Sequence, residues 1–266
     1  MAVVESERHG QVLILRMNRP ERLNALNSDM RTALAELWTE FRHDKDLEVA
    51  IFTGTGRGFC AGEDMKESLA SGLPGGKRPA MPDPFMDGTL EKPVIAAVNG
   101  FAMGGGFMLV ERTDLRVAVP EAIFEVSEAK RWLLGGYNHG HIANLPYPIA
   151  MEMALGFRFS AERLYQVGFL NRLVPQHELL PTALSMAEHL LSLPPASRVN
   201  TVHMMRQMRP EPSPGHKALA TKLHEHGDKG DLMESRAAFA EKRKPNFKGW
   251  LDPQDRYRLP GLEDVK

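Results

Sequence analysis

KPVIAAVNGFAMGGGF, residues 92–107, places a short apolar run directly before a glycine-rich turn. The run from Val94 to Val98 is rich in β-branched residues and predicts a buried strand. The glycines that follow let the backbone approach a ligand closely and present N–H groups that no side chain covers. The apolar stretch from Phe107 to Val110 predicts the start of a helix, whose N-terminal end adds partial positive charge there. The segment therefore predicts a buried strand followed by a site for negative charge.

A second segment of the same kind lies upstream. The run from Val49 to Thr53 predicts another buried strand, and the small-residue turn FCAGED follows at residues 59–64. Two such turns whose N–H groups converge would form an oxyanion hole, which stabilises an enolate or a tetrahedral oxyanion. The two turns together predict the activation of a carbonyl group.

Strand and helix signals alternate through the first half of the chain. Gln11 to Met17 and Leu115 to Val119 are further apolar runs, and the segment after Ser28 carries apolar residues at helical spacing. This alternation predicts parallel βαβ units and an α/β fold. Residues 68–91 are rich in Gly, Pro and Met and predict an irregular or mobile loop.

The pattern becomes mostly helical from about Pro148 onward. The predicted helices span 148–155, 160–167, 178–192, 197–208, 214–226 and 230–243. Apolar positions in the last two predict packing against the core or against another subunit. We therefore expect a core over residues 1–195 and a helical region over residues 196–266.

Composition excludes several classes of protein. The 266 residues are 42% hydrophobic and 25% charged, with a net charge of −1, as in ordinary globular proteins. This balance gives no support to a nucleic-acid or membrane partner, and no apolar run is long enough to span a bilayer. The N-terminus lacks the pattern of a secretory signal. The single cysteine, Cys60, fits a small buried residue in a reducing compartment, so we expect a cytoplasmic protein.

Five ordered motifs resemble the crotonase family, which contains the enoyl-CoA hydratases and isomerases. They are NRPERLNAL at 18–26, FCAGED at 59–64, the segment at 92–107, DLR at 114–116 and the segment at 234–249. The resemblance implies a ββα spiral core with a helical trimerisation region, and hence a homotrimer or a hexamer made of two trimers. It also implies an acyl-CoA thioester as substrate, with coenzyme A as part of that substrate and no tightly bound cofactor.

The resemblance assigns the oxyanion hole to the backbone N–H groups of Glu63 and Gly105. A glutamate at 63 is unusual for the family and would place a negative charge near the thioester or the coenzyme A. The resemblance also implies a set of coenzyme A-binding residues, because cations suit the phosphates and backbone carbonyls suit the adenine edge. These residues are Arg22, Ala25, Ala61 and Lys66, with Phe247 and Lys248 contributed by a neighbouring subunit.

The acid–base residues distinguish the reactions of the family. Family hydratases use two glutamates, and the matching positions here are Met108 and Glu128. Methionine cannot transfer a proton, whereas a single base can move a proton from C2 to C4. Glu128 alone therefore suits isomerisation, or another enolate chemistry, better than hydration. Hydroxycinnamoyl-CoA hydratase-lyases are similar in keeping only the second glutamate, so lyase chemistry stays open.

The segment at 135–141, GGYNHGH, falls where the family lines the acyl pocket with small residues. Gly136, Tyr137, His139 and His141 are candidate pocket residues, along with Met108. Tyr137, Asn138 and the two histidines would add bulk and polar groups that suit a water molecule or a polar acyl chain. No neighbouring carboxylate or third ligand supports a metal at the two histidines.

Three hypotheses follow for the function. The first is an enzyme of the hydratase/isomerase group that uses Glu128 as its single proton-transfer group. The second is a hydrolase, decarboxylase or lyase on the same scaffold, with the segment at 135–141 supplying a further polar group. The third is a catalytically weak coenzyme A-binding subunit, which the methionine at 108 and the charge at 63 motivate.

Overall fold

The computed structural model describes residues 2–72, 79–227 and 229–265. The chain forms two compact units: Met1–Glu125 with Arg158–Arg209, and Val126–Phe157 with Pro210–Lys266. The division at residue 195 between core and helical region stays a prediction. Within the described ranges, no helix is both long enough and apolar enough to cross a membrane.

The strands of the described chain all lie in the first unit. In chain order they are β1 (Val4–His9), β2 (Val12–Met17), β3 (Val49–Gly54), β4 (Gly58–Cys60), β5 (Val94–Val98), β6 (Phe101–Met103), β7 (Leu115–Ala118), β8 (Ile123–Glu125), β9 (Arg158–Ser160) and β10 (Arg172–Leu173).

The helices are divided between the units, with α4, α5, α9 and α10 in the second. In chain order they are α1 (Ser28–His43), α2 (Met65–Ser71), α3 (Gly105–Arg112), α4 (His139–Ile142), α5 (Tyr147–Ala154), α6 (Ala161–Gln166), α7 (Gln176–Ser192), α8 (Pro195–Gln207), α9 (Pro214–Glu225) and α10 (Gly230–Ala240). Short 3-10 helices also occur in both units.

The larger sheet has the strand order β1-β2-β3-β5-β7-β10. Its four central strands correspond to the four predicted apolar runs, and they pair in parallel as predicted. β3 and β5 are buried along their whole length. β1 was not predicted, because it pairs antiparallel at the sheet edge and exposes five of its six residues, so no apolar run marks it.

The smaller sheet has the order β4-β6-β8-β9 and was not predicted from the sequence. Its strands have three residues each, too few to show an alternating pattern. β4 leads into the first glycine turn and β6 leads into the second, and these two strands pair in parallel. The sheet therefore brings the two turns side by side.

Helix α1 begins at Ser28, one residue earlier than the sequence predicts, because the Asn27 side chain caps it by accepting a hydrogen bond from the Met30 N–H. Its buried face includes Trp38, which stacks on Phe85 with the two ring centroids 4.7 Å apart. Phe85 is 5% exposed and lies in the predicted loop at 68–91. The loop prediction is wrong for Ser68 to Ser71, which belong to α2, and the part at 73–78 lies outside the described residues.

The helical pattern predicted from Pro148 onward is confirmed, with boundaries shifted by up to three residues. It missed two short strands, β9 and β10, because each adds only two or three residues to a sheet built mainly by the first half of the chain. In the second unit, α4 packs closely on α5. The β-carbon position of Gly140 would lie 2.5 Å from Ala150 Cα, so only glycine fits there.

Candidate active site

The first glycine turn is held by Leu26, which forms a parallel bridge to Glu63. The Leu26 N–H donates to the Gly62 carbonyl at 2.7 Å, and the Asp64 N–H donates to the Leu26 carbonyl at 3.2 Å. In a parallel bridge of this kind, Leu26 forms its hydrogen bonds with the residues before and after Glu63, and not with Glu63 itself. The Glu63 N–H therefore points away from Leu26.

The second glycine turn ends at the start of α3. Gly104 adopts a φ of 50° at the N-cap, and its N–H donates to the Glu125 carbonyl at 2.7 Å. Gly105 is the first residue of the helix, where backbone N–H groups have no intrahelical acceptor. Such N–H groups suit an anionic partner.

The two turns meet at their glycines. A β-carbon on Gly62 would lie 3.2 Å from the Gly105 nitrogen, and one on Gly105 would lie 4.0 Å from the Glu63 nitrogen. A β-carbon on Gly106 would lie 2.2 Å from the Cys60 carbonyl oxygen. The structure thus brings together the two backbone groups assigned to the oxyanion hole, and only glycine permits the approach.

Arg19 connects the loop at 18–26 to the first turn. Its guanidinium donates to the Ala25 carbonyl at 2.6 Å and to Asp64 Oδ2 at 3.0 Å. Burial acts to raise the pKa of Asp64, but the hydrogen bonds from Arg19, Glu67 and Lys66 outweigh it and lower the pKa. Sequence reasoning missed Arg19, although it lies inside one of the quoted motifs. The ion pair joins segments 45 residues apart and positions the first turn.

The residues predicted to bind coenzyme A in the first unit lie around this loop. Ala25 is buried, and the Ala61 N–H donates to the Leu23 carbonyl at 2.9 Å. Arg22 and Lys66 are exposed and leave their charges in solvent. These four residues therefore lie on segments that the Arg19–Asp64 ion pair joins. Their role in binding coenzyme A stays a prediction.

Met108 lies one turn into α3 and is half-buried. Its N–H donates to the Gly104 carbonyl at 3.1 Å, so its backbone continues the helix that begins at the second turn. A thioether there supplies bulk and no exchangeable proton.

The charged residues after α3 hold the fold together. Arg116 donates to four backbone carbonyls, those of Val110, Glu111, Thr113 and Phe169. Burial lowers the pKa of Arg116 to about 10, so it stays protonated at neutral pH. Asp114 pairs with Arg206 and accepts from the Val94 N–H at 2.9 Å. The DLR motif is therefore structural.

Cys60 is fully buried beside the first turn, as the sequence predicts. Burial raises the pKa of its thiol to about 12, so the thiol is protonated at neutral pH. It is not a nucleophile in this site. The described residues also contain no group of three or more His, Cys, Asp or Glu side chains that could hold a metal ion.

Glu128 lies in the second unit, at the start of a 3-10 turn. Its carbonyl accepts hydrogen bonds from the N–H groups of Arg131 and Leu133, both at 2.9 Å, which holds its backbone. The Nε2 atom of His139 lies 3.8 Å from Glu128 Oε1, and the two side chains are 12% and 18% exposed. A β-carbon on Gly136 would lie 3.4 Å from Glu128 Cβ. The structure therefore groups three of the predicted site residues.

The other candidate pocket residues differ in exposure. Tyr137 is half-buried and His141 is exposed. Asn138, one of the polar residues predicted to line the pocket, has an Oδ1 atom that is buried without a hydrogen-bond partner among the described residues. Buried polar atoms of this kind usually bind ordered water or a ligand.

The predicted coenzyme A-binding residues Phe247 and Lys248 also lie in the second unit. Phe247 is 49% exposed. The carboxylate of Asp231, itself buried, accepts from the N–H groups of Lys248 at 2.8 Å and Gly249 at 2.7 Å. Asp231 thus fixes the backbone of the segment. Sequence reasoning missed it, because no local pattern marks a carboxylate whose partners lie 17 and 18 residues away.

The sequence profile of one family matches residues 7–250 of the chain, and its description is enoyl-CoA hydratase/isomerase. The chain belongs to the enoyl-CoA hydratase/isomerase family. Known proteins of this family resemble it over almost their whole length. The predicted membership of the crotonase family and the predicted crotonase-like α/β fold are both confirmed.

Two similar relatives are the enoyl-CoA hydratase EchA19 of Mycobacterium tuberculosis and the (E)-benzylidenesuccinyl-CoA hydratase of Thauera aromatica. The first is 34% identical, covering 93% of this chain and 99% of the relative. The second is 33% identical, covering 92% and 99% respectively. The crystal structure of a carnitinyl-CoA hydratase from Mycobacterium avium is also similar, with a TM-score of 0.79, 28% identity, and coverage of 93% of this chain and 99% of that one.

Proposed function

We propose that this enzyme acts on an acyl-CoA thioester by stabilising its enolate between the N–H groups of Glu63 and Gly105. The supporting observation is the meeting of the two glycine turns, where the β-carbon position of Gly105 lies 4.0 Å from the Glu63 nitrogen. Each donor aimed at a developing oxyanion contributes about 10²- to 10³-fold to turnover. Because only the N–H of residue 63 is used, its side chain is free to be a glutamate.

Glu128 is the proton-transfer group in this proposal, on the basis of its place in the family motif. With methionine at 108, a single carboxylate takes the proton from C2 of a 3-enoyl-CoA and returns it to C4. The C2–H electron pair enters the enolate and then forms C2=C3, while the C3=C4 pair forms the new C4–H bond, so the reaction is an isomerisation. It needs no second acid.

A second candidate is the addition or removal of water across the C2–C3 bond. The two relatives named above are called hydratases, and so is the structural neighbour. Hydration needs a water molecule held beside C3 as well as a base.

Incubation of the full chain with a 3-enoyl-CoA in D2O tests the proposal. We expect the conjugated 2-enoyl-CoA as product, with deuterium entering at the positions that exchange protons. Release of free coenzyme A thiol would instead indicate a hydrolase. Tight binding of thioesters, measured by calorimetry, without turnover of any substrate would indicate a binding subunit.

We also propose that the chain assembles as a homotrimer or hexamer, with coenzyme A bound by Arg22, Ala25, Ala61 and Lys66 and by Phe247 and Lys248 of a neighbouring copy. The support is exposed apolar surface near the C-terminus, where Leu251 and Tyr257 are 80% and 76% exposed. Surfaces of this kind mark protein interfaces. Light scattering should give three or six times 29.7 kDa, and a monomer at micromolar concentration would contradict this.

A further inference from the structure

We propose that His139 and Glu128 hold one water molecule between them, so that His139 takes the place of the carboxylate missing at position 108. This inference rests on the proposed proton-transfer role of Glu128 and names the reaction as hydration of a 2-enoyl-CoA. It would make the methionine at 108 compatible with water addition.

The distance between the two side chains carries the proposal. His139 Nε2 and Glu128 Oε1 are 3.8 Å apart, which is too long for a direct hydrogen bond. One water molecule can donate hydrogen bonds of about 2.8 Å to both atoms, because two acceptors at this separation are within reach of its two O–H groups. Both side chains are mostly buried, so a water between them would be ordered.

The backbone on both sides of the pair is held in place. Glu128 accepts two hydrogen bonds at its carbonyl, from Arg131 and Leu133. His139 begins α4, and the next residue, Gly140, packs so closely on Ala150 that no side chain fits. The two groups are therefore presented by ordered turns.

The surroundings of the pair suit a polar molecule of small size. Gly136 lies against the Glu128 stem, where a β-carbon would be 3.4 Å from Glu128 Cβ and 3.2 Å from Val126 Cγ1, so its backbone passes close beside that side chain. Asn138, next to His139 in the chain, has a buried Oδ1 atom that has no hydrogen-bond partner within the described ranges. A buried hydrogen-bond acceptor without a partner favours a water molecule over an apolar acyl group at this place.

The step balances with these two residues alone. The water donates one hydrogen bond to Glu128 Oε1 and the other to Nε2 of the neutral imidazole, and its oxygen attacks C3. The C2=C3 electron pair moves into the thioester to form the enolate, and the water proton passes to Glu128. Glu128 then delivers that proton to C2, which yields the 3-hydroxyacyl-CoA and restores the carboxylate.

The variant His139→Ala tests the proposal through two reactions of the same enzyme. Hydration of crotonyl-CoA and of aryl and branched 2-enoyl-CoA thioesters is compared with isomerisation of a 3-enoyl-CoA, which needs no water. We expect kcat for hydration to fall by about 10²-fold, whereas KM and the isomerisation rate stay within about threefold. His139→Gln should recover part of the hydration, since an amide can also bond the water.

His177→Ala is the matched control, because His177 also lies near a glutamate, Glu178, at 3.5 Å but is 80% exposed. It should leave both reactions unchanged. Equal loss of both reactions in His139→Ala would overturn the proposal, since it would indicate a structural role. Isomerisation without any hydration in the wild type would overturn it too, while leaving the proposed function intact. Retention of both reactions by Glu128→Gln would instead refute the proposed function.

Discussion

The variant Glu128→Gln should lose between about 10²- and 10⁴-fold of the turnover of an enoyl-CoA. Glutamine keeps the size of the side chain and can still accept a hydrogen bond, but it cannot take up and return a proton at neutral pH. Met108 offers no substitute group. The loss should therefore appear in kcat, and the affinity for the thioester should change little.

Steady-state kinetics and calorimetric titration with a non-reacting acyl-CoA measure the two quantities separately. Glu121→Gln serves as control, because Glu121 is an exposed carboxylate seven residues upstream, and it should retain full activity. Turnover by Glu128→Gln within threefold of the wild-type rate would show that another group moves the proton. A large loss of affinity would show that Glu128 acts mainly in binding.

The variant Gly106→Ala should destabilise the fold by about 3 kcal/mol or more in the free energy of unfolding. The new methyl group would lie 2.2 Å from the carbonyl oxygen of Cys60 and 2.9 Å from its carbonyl carbon. Both atoms are backbone, so no side-chain rotation relieves the overlap. The strain would separate the two glycine turns, and turnover should fall with stability.

Urea denaturation and thermal unfolding measure this effect, with Gly215→Ala as control. Gly215 lies in the first turn of α9, and a β-carbon there would find its nearest neighbour at 3.7 Å. Alanine at a helical position of this kind should be neutral or should stabilise by up to about 1 kcal/mol. Equal stability of Gly106→Ala and the wild type would mean that residue 106 does not pack this closely against the Cys60 backbone.

Local sequence patterns predicted the elements that are built from consecutive residues. The predicted runs at Val49–Thr53 and Val94–Val98 form fully buried parallel strands, because a strand covered on both faces is built mostly from apolar residues. Glycines were equally informative. Gly106 can carry no side chain against Cys60, and this requirement is visible in the sequence as an uninterrupted glycine triplet.

The sequence alone determined the family, the α/β class, the buried parallel strands and the residue types available for chemistry, including the methionine at 108. The tertiary structure decided which groups meet. The smaller sheet placed the two glycine turns side by side, Arg19 paired with Asp64, and His139 came to lie 3.8 Å from Glu128. Hydrophobic periodicity reports only whether a residue faces the core. Which side chains pair depends on where segments that are distant in sequence come together, and the packing of the whole chain sets those positions.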